Sequence, residues 1–466
     1  MTRMRSWLRS FFEIRYFLGR VGRQTHYKLF KTDLLKSLPL ACSRFEFCPE
    51  VTALVAKQGI KIPEVPIAYH PRTTTQGKKI NWRDGLEAIW TLIKFRFVGI
   101  EKSTARWCLG LALIFAALVA VFDFSVAGLY QRDGDTTSYV NMINFFAGRP
   151  LAQADIPYHR LIKPMYGLIG AAASPFVSPE NTILILNLIF YFGIVTILFF
   201  LLKRHLKFAP WMATLGTAWF ACSYPMLKTG FMLITDLSGW FFTLLTVLIA
   251  LEAENKNRDS LLFIAGLSSA VGLIGKETGS MGMLFVFFFY LLQVRKAGWA
   301  RTVKRWFFAG LPFVLITAAV QYGIFAAWHY SYYDWMFRTA DITSNQLRLP
   351  IYFIGTQIAA FHVLWIYFFL GLLQIRKQQG WKVLISLVPV GLSTYIWIIY
   401  LVRILFFQFV FIIPFSLLGW ETISNRMIKH KFSKMLLSAI LPQALSIALF
   451  LFFGQNNAFK LLHLAR

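Results

Sequence analysis

Residues 181–202 read NTILILNLIFYFGIVTILFFLL, and residues 203–207 read KRHLK. Twenty-two positions without a charge match the roughly 20 apolar residues that carry a helix across a bilayer. Backbone in hydrocarbon must satisfy its own hydrogen bonds, so the run predicts a transmembrane helix. The basic cluster after it marks a membrane face.

Outward from this stretch the same alternation recurs. Apolar runs cover about 106–129, 181–202, 209–224, 231–250, 260–275, 279–293, 307–328, 351–374, 382–402, 404–420 and 435–453, with short charged loops between them. A weaker segment, 161–177, carries Pro164, Gly167, Gly170 and Pro175. The whole chain of 466 residues is 57% hydrophobic and 15% charged. A soluble fold carries roughly 25% charged residues, so this chain cannot keep a surface of its size wet. Disorder, collagen and a disulfide scaffold are excluded on the same composition. The expected fold is an all-α polytopic membrane protein of about 11–12 transmembrane helices.

The formal charge is +27, from 48 Lys and Arg against 21 Asp and Glu. The cations gather between apolar segments and in the first hundred residues, which fits anionic lipid and the positive-inside rule. No nucleic-acid motif accompanies them, so no nucleic-acid partner is expected. Cys42, Cys48, Cys108 and Cys222 form no CxxC pair, which supports neither a zinc site nor a disulfide framework. Met1 to Arg23 lacks the apolar core of a cleavable signal peptide.

Two regions are expected: a polar, basic segment at 1–104 and a polytopic domain at 105–466. Placing Lys203–Lys207, Arg295–Arg305, Arg376-Lys377 and Arg426–Lys434 in the cytoplasm, with the N-terminus, gives one consistent threading in the plasma membrane. That threading requires 161–177 to enter and leave on the outer face or to lie along it. Asp133, Asp135, Arg160, Lys163, Lys228, Asp236, Lys276, Glu277 and Arg403 then share the outer face. Ionisable residues at membrane depth are costly and point to function.

The first outer loop reads Gln131-Arg132-Asp133-Gly134-Asp135-Thr136, followed by a short helix and then by Pro157-Tyr158-His159-Arg160-Leu161-Ile162-Lys163-Pro164. Two carboxylates one residue apart can act as a general base or hold a metal. Alternatively, Asp135 caps the following helix. His159, Arg160 and Lys163 reach the same surface.

This arrangement resembles the GT-C superfamily of polyprenol-dependent glycosyltransferases over roughly residues 106–300. The resemblance rests on the acidic pair, the Arg160-x-x-x-Pro164 spacing, Tyr224-Pro225, Thr235-Asp236 and the Lys276-Glu277 dipeptide. It implies an inverting glycosyltransferase with a polyprenyl-phosphate sugar donor, a glycan, lipid or protein acceptor, and an essential carboxylate in the first outer loop, with a divalent cation as an open cofactor. The leaving phosphate would then gain charge, which Arg160, Lys163 and Arg403 are placed to stabilise. As an alternative, each is an interface anchor. Asp133 or Asp135 would accept the acceptor's proton, and His159, Asp236, Lys276 and Glu277 would support the site, the last two as a buried ion pair. His329, Tyr330, Tyr332, Tyr333 and Trp335 read as an interfacial aromatic belt, with sugar stacking as the alternative.

Residues 25–96 resemble the C-terminal part of dolichyl-phosphate mannose synthases and related family-two glycosyltransferases. The series runs from Tyr27 through Arg44-Phe45-Glu46-Phe47-Cys48-Pro49-Glu50, Ile62-Pro63-Glu64 and Trp82-Arg83-Asp84-Gly85 to Lys94. By that resemblance Arg72 would face a donor diphosphate, and Lys78 and Lys79 a lipid phosphate. No βαβ succession or Asp-x-Asp precedes Tyr27, so a small truncated α/β (GT-A-like) piece that binds no nucleotide sugar is expected. Trp82 to Phe97 has the spacing of an interfacial helix.

The leading functional reading is thus a membrane glycosyltransferase. A transporter of lipid-linked sugars is the first alternative, although no internal repeat is visible. A catalytically inactive scaffold of a lipid-sugar pathway is the second.

Overall fold

The computed structural model describes residues 29–38, 40, 47–57, 60, 101–335, 350–375, 380–396, 402–428 and 432–453. The chain divides into two units, Met1–Arg106 and Trp107–Arg466. The first contains α1 (Thr32–Ser37) and α2 (Phe47–Lys57), with a small core of Leu38, Val51 and Val55. No strand occurs among its described residues. Arg72, Lys78, Lys79 and the expected interfacial helix at 82–97 lie outside the described residues.

From residue 101 onward the helices run α3 (Glu101–Ala127), α4 (Thr136–Phe146), α5 (Tyr158–Leu161), α6 (Met165–Ala173), α7 (Pro179–Phe200), α8 (Pro210–Ala221), α9 (Asp236–Lys256), α10 (Ser260–Gly275) and α11 (Gly282–Leu291). They continue through α12 (Trp299–Trp328), α13 (Pro350–Phe361), α14 (Leu364–Leu372), α15 (Trp381–Leu392), α16 (Phe406–Ile428) and α17 (Phe432–Phe453). The opening stretch of the sequence becomes α7. Ser178 caps it by accepting the Asn181 N–H at 3.2 Å, Pro179 opens its first turn and Glu180 complements its dipole. It ends in a π-turn over Leu201–His205.

Each of the eleven apolar runs holds helix, and the protein is an all-α polytopic one. Among the described residues six helices (α3, α7, α9, α12, α16 and α17) are long and apolar enough to span a membrane. The remaining runs differ from the expected full spans in length. α10 stops at Gly275 because Lys276 and Glu277 intervene, and α11 begins only at Gly282. The weak segment at 161–177 becomes α6, whose nine residues rise only about 14 Å, too little to cross.

The run expected to span over 351–374 is not one straight helix. Ile354–Phe361 and Leu364–Leu372 meet at 90°. His362 turns the chain with φ at 30°, and its ring Nε2 lies 2.9 Å from Ser446 Oγ on α17. The apolar residues on both sides hide this break from a hydropathy reading.

Burial sorts the helices into a post and a rim. Phe406–Ser424 of α16 is 83% buried inside the protein, against 17% for α12. α14 packs on α16 through glycines: a Cβ on Gly419 would stand 1.8 Å from the Tyr367 carbonyl oxygen, and one on Gly371 1.9 Å from that of Phe415. Such contact needs residues without side chains. At the C-terminal ends of α7 and α9, Arg204, His205 and Lys256 surround Glu252, while Arg305 of α12 binds Glu254 and Asp259.

Candidate functional site

Five segments that are distant in sequence bring their charges together. These are the loop after α3, the α5 turn, the start of α9, the break between α10 and α11, and the short turn Val402–Leu405 that precedes α16. The acidic loop is pinned locally first. The Asp133 N–H donates to Thr136 Oγ1 at 2.9 Å, and the Asp135 N–H donates to Asp133 Oδ1 at 2.6 Å. This leaves Asp133 Oδ2 and both oxygens of Asp135 for other partners.

Those partners are guanidiniums. Arg160 Nη2 lies 2.6 Å from Asp135 Oδ1. Arg403 bridges the pair, with Nη1 3.0 Å from Asp133 Oδ2 and Nη2 3.2 Å from Asp135 Oδ2. Asp135 does stand at the N-cap position of α4, but its side chain makes no capping hydrogen bond. Burial opposes ionisation of Asp135, yet Arg160 and Arg403 outweigh it and hold the carboxyl below its usual range. Arg403 shows the converse: burial works against its charge, while Asp236, Asp133 and Asp135 raise its pKa. Arg160 is further fixed by Tyr139, whose hydroxyl accepts from Nη1 at 3.0 Å and whose ring centroid lies 4.5 Å from the guanidinium carbon.

A second chain of charges runs beside the first. Lys163 Nζ donates to Glu277 Oε2 at 2.7 Å, with both side chains nearly enclosed. Lys276 lies 3.3 Å from Asp236 and 3.7 Å from Glu277. The Lys276-Glu277 dipeptide is therefore less a pair of its own than the middle of a four-residue chain. Lys163 also packs under the Trp335 ring, 4.3 Å from its centroid, and Tyr332 meets Trp335 edge to face. Of the five aromatics, Trp335 thus touches a charge of the site directly and Tyr332 packs on Trp335. His159 sits beside Arg160 in α5, half-buried. Lys228 lies by Tyr224, 3.4 Å from its hydroxyl.

Four carboxylates (Asp133, Asp135, Asp236, Glu277) thus face four cations (Arg160, Lys163, Lys276, Arg403). Among the described residues no three His, Cys, Asp or Glu side chains are grouped to hold a metal ion.

A second polar layer, with Asp123 and Asn187 that the sequence reading does not single out, adjoins these groups. Gln131 donates to the fully buried Asp123 of α3, and its carbonyl accepts the Leu233 N–H at 2.9 Å. Asn187 of α7 donates to the Met232 and Ile234 carbonyls at 2.9 and 2.8 Å and accepts from the Tyr166 hydroxyl at 2.8 Å. Thr243 donates to the Thr278 carbonyl at 2.8 Å. The one sequence signal for this layer was a polar residue inside an apolar run, as with Asp123 and Asn187.

No family model and no curated protein matches the chain. Among solved structures it is similar to the oligosaccharyltransferase of Archaeoglobus fulgidus. The apo form aligns at 12% identity and TM-score 0.49, covering 74% of this chain and 56% of that one. The complex with Zn and sulfate aligns at 13% and 0.47, covering 73% and 52%. The form tethered to an acceptor peptide with the NVT sequon aligns at 14% and 0.46, covering 74% and 55%. The chain spans about half the length of the structures it matches.

Proposed function

We propose that this protein is a membrane glycosyltransferase of GT-C type, moving a sugar from a polyprenyl-phosphate donor to an acceptor nucleophile on the outer face of the membrane. The observation that carries the proposal is the bridging of Asp133 and Asp135 by Arg403, with Arg160 on the other side of Asp135. An acidic pair held by arginines at one end of an apolar helical bundle combines a proton acceptor with phosphate-binding groups. On this reading the donor phosphate takes over Arg160 and Arg403, which frees a carboxylate of the pair. That carboxylate accepts the proton of the attacking hydroxyl or amide as the new glycosidic bond forms. The bond from the sugar to the phosphate oxygen breaks, and the charge left on the phosphate is stabilised by the two arginines. Lys163, Lys276, Asp236 and Glu277 hold the surroundings in place. The resemblance of residues 25–96 to lipid-phosphate sugar synthases supports a role in the same lipid-sugar chemistry, with the N-terminus cytoplasmic.

One observation favours a second reading, an inactive scaffold: all eight charges are already matched to one another. Purified protein in proteoliposomes, supplied with radiolabelled polyprenyl-phosphate sugars and a panel of glycan, lipid and peptide acceptors, separates the two. Transfer that disappears in Asp135→Asn supports the enzyme. A folded protein that transfers from no donor supports the scaffold.

A further inference from the structure

None of the eight charged residues lies on α7, yet α7 touches the segments that carry them. At its first turn Glu180 pairs with Arg132 at 3.2 Å, and Asn181 accepts from the Tyr130 hydroxyl at 2.7 Å. Both partners flank Gln131 in the acidic loop. Two turns further along stands Asn187, 1% exposed, between Leu186 and Leu188 in an otherwise apolar run. A lone amide there must have a use, since a polar group at membrane depth is costly unless satisfied.

The irregular backbone at 231–235 supplies that use. It joins the π-turn Met226–Gly230 to α9 and forms no regular helix. Both amide hydrogens of Asn187 go to carbonyls of this segment, those of Met232 and Ile234. Its oxygen accepts from Tyr166, which stands three positions after Lys163. On the other side the Leu233 N–H is taken by Gln131, two positions before Asp133. The segment ends at Asp236, the partner of Lys276. One side chain therefore ties the backbone leading into Asp236 to the helix that follows Arg160 and Lys163.

We infer that Asn187 is a positioning residue: it fixes Asp236, and through it Lys276, against the Arg160–Asp135–Arg403 group. The inference rests on the reading of that group as the reaction centre. Leucine at 187 would leave two carbonyls and one hydroxyl without these partners. Aspartate would keep an acceptor for Tyr166 but set a carboxylate against two carbonyl oxygens.

The test compares wild type, Asn187→Leu, Asn187→Asp and Tyr166→Phe as full chains in lipid nanodiscs. Hydrogen exchange of the amides at 231–236 is one readout. Single-turnover sugar transfer, with donor KM measured separately, is the other. Asn187→Leu should exchange at 231–236 at least roughly tenfold faster, with α9 and α12 still protected. Its turnover should fall about tenfold to a hundredfold, the scale of a misplacement of about 1 Å, while donor KM stays within about twofold. Tyr166→Phe removes one hydroxyl and keeps the ring packing, so it should show the same effects at about threefold, the size of one hydrogen bond. It decides the matter if the substitutions at 187 do not fold. Unchanged exchange at 231–236 overturns the inference, and so does faster exchange with unchanged turnover. A wild type that transfers no sugar defeats the glycosyltransfer reading instead, and the exchange data still show whether Asn187 holds the segment.

Discussion

Arg403 stands 3.0 Å from Asp133, 270 positions earlier in the chain. It holds Asp135 with its other terminal nitrogen. Replacing it should therefore disturb both the acidic pair and the proposed phosphate contact. Arg403→Ala is expected to lower single-turnover transfer by about two to three orders of magnitude, as loss of one transition-state donor does elsewhere. Arg403→Lys should recover only part, since one ammonium cannot span two carboxylates as a planar fork does. Turnover equal to wild type in Arg403→Ala would remove this residue from the reaction.

Asp135 should show its pairing in the pH dependence of stability. Its folded pKa is depressed, because Arg160 and Arg403 overcome the opposing effect of burial. The stabilisation from a depressed carboxylate is complete above the unfolded value, about 3.9 for Asp, and is lost as pH falls through the lower folded value. The melting-temperature gap between wild type and Asp135→Asn should thus be constant from about pH 7 to 5 and shrink below about pH 4. A gap that stays the same into strong acid would contradict the ion pairing.

Lys163 and Glu277 form a nearly enclosed pair. Removing Lys163 leaves Glu277 with only its longer contact to Lys276 at 3.7 Å, and breaking a buried pair from one side costs up to roughly 3–5 kcal/mol. Lys163→Met should therefore unfold well below wild type. Lys163→Met combined with Glu277→Gln should regain part of that loss, because Lys276 is then matched to Asp236 alone and no buried carboxylate is left in excess. Thermal unfolding of the three proteins in one detergent checks the order. A double variant less stable than Lys163→Met would refute it.

The glycine crossing gives a contrast within one fold. At Gly419 a methyl group would meet backbone, the Tyr367 carbonyl oxygen, whereas at Gly323 it would meet nothing within 4 Å. Gly419→Ala should cost at least about 1–3 kcal/mol, the range for overpacking. Gly323→Ala should be neutral or mildly stabilising, since alanine is the better helix former. Comparing folded yield and melting temperature distinguishes them.

All eight charges of the site could be singled out in the sequence, because a charge beside an apolar run is conspicuous. Their partners could not. Lys163 finds Glu277 across 114 positions, and nothing in either neighbourhood names the other. Asp135 fits the pattern of a helix cap, and only the arrival of Arg160 and Arg403 shows where its oxygens go. Asn187 is inconspicuous in the sequence, because one amide among leucines does not change a hydropathy reading. The bend at His362 escaped for a similar reason: apolar residues continue through it, and its contact, Ser446, lies 84 positions away.

The deep burial of α16 bears on the order in which the protein is built. A ribosome delivers α3 and the acidic loop well before Val402–Leu405 and α16. Neighbouring helices enclose α16 almost completely, so the earlier helices must leave its place open until it arrives. Arg403 comes with it, on the turn leading into that helix. During synthesis Asp133 and Asp135 are thus without Arg403, and the site is completed only when α16 enters.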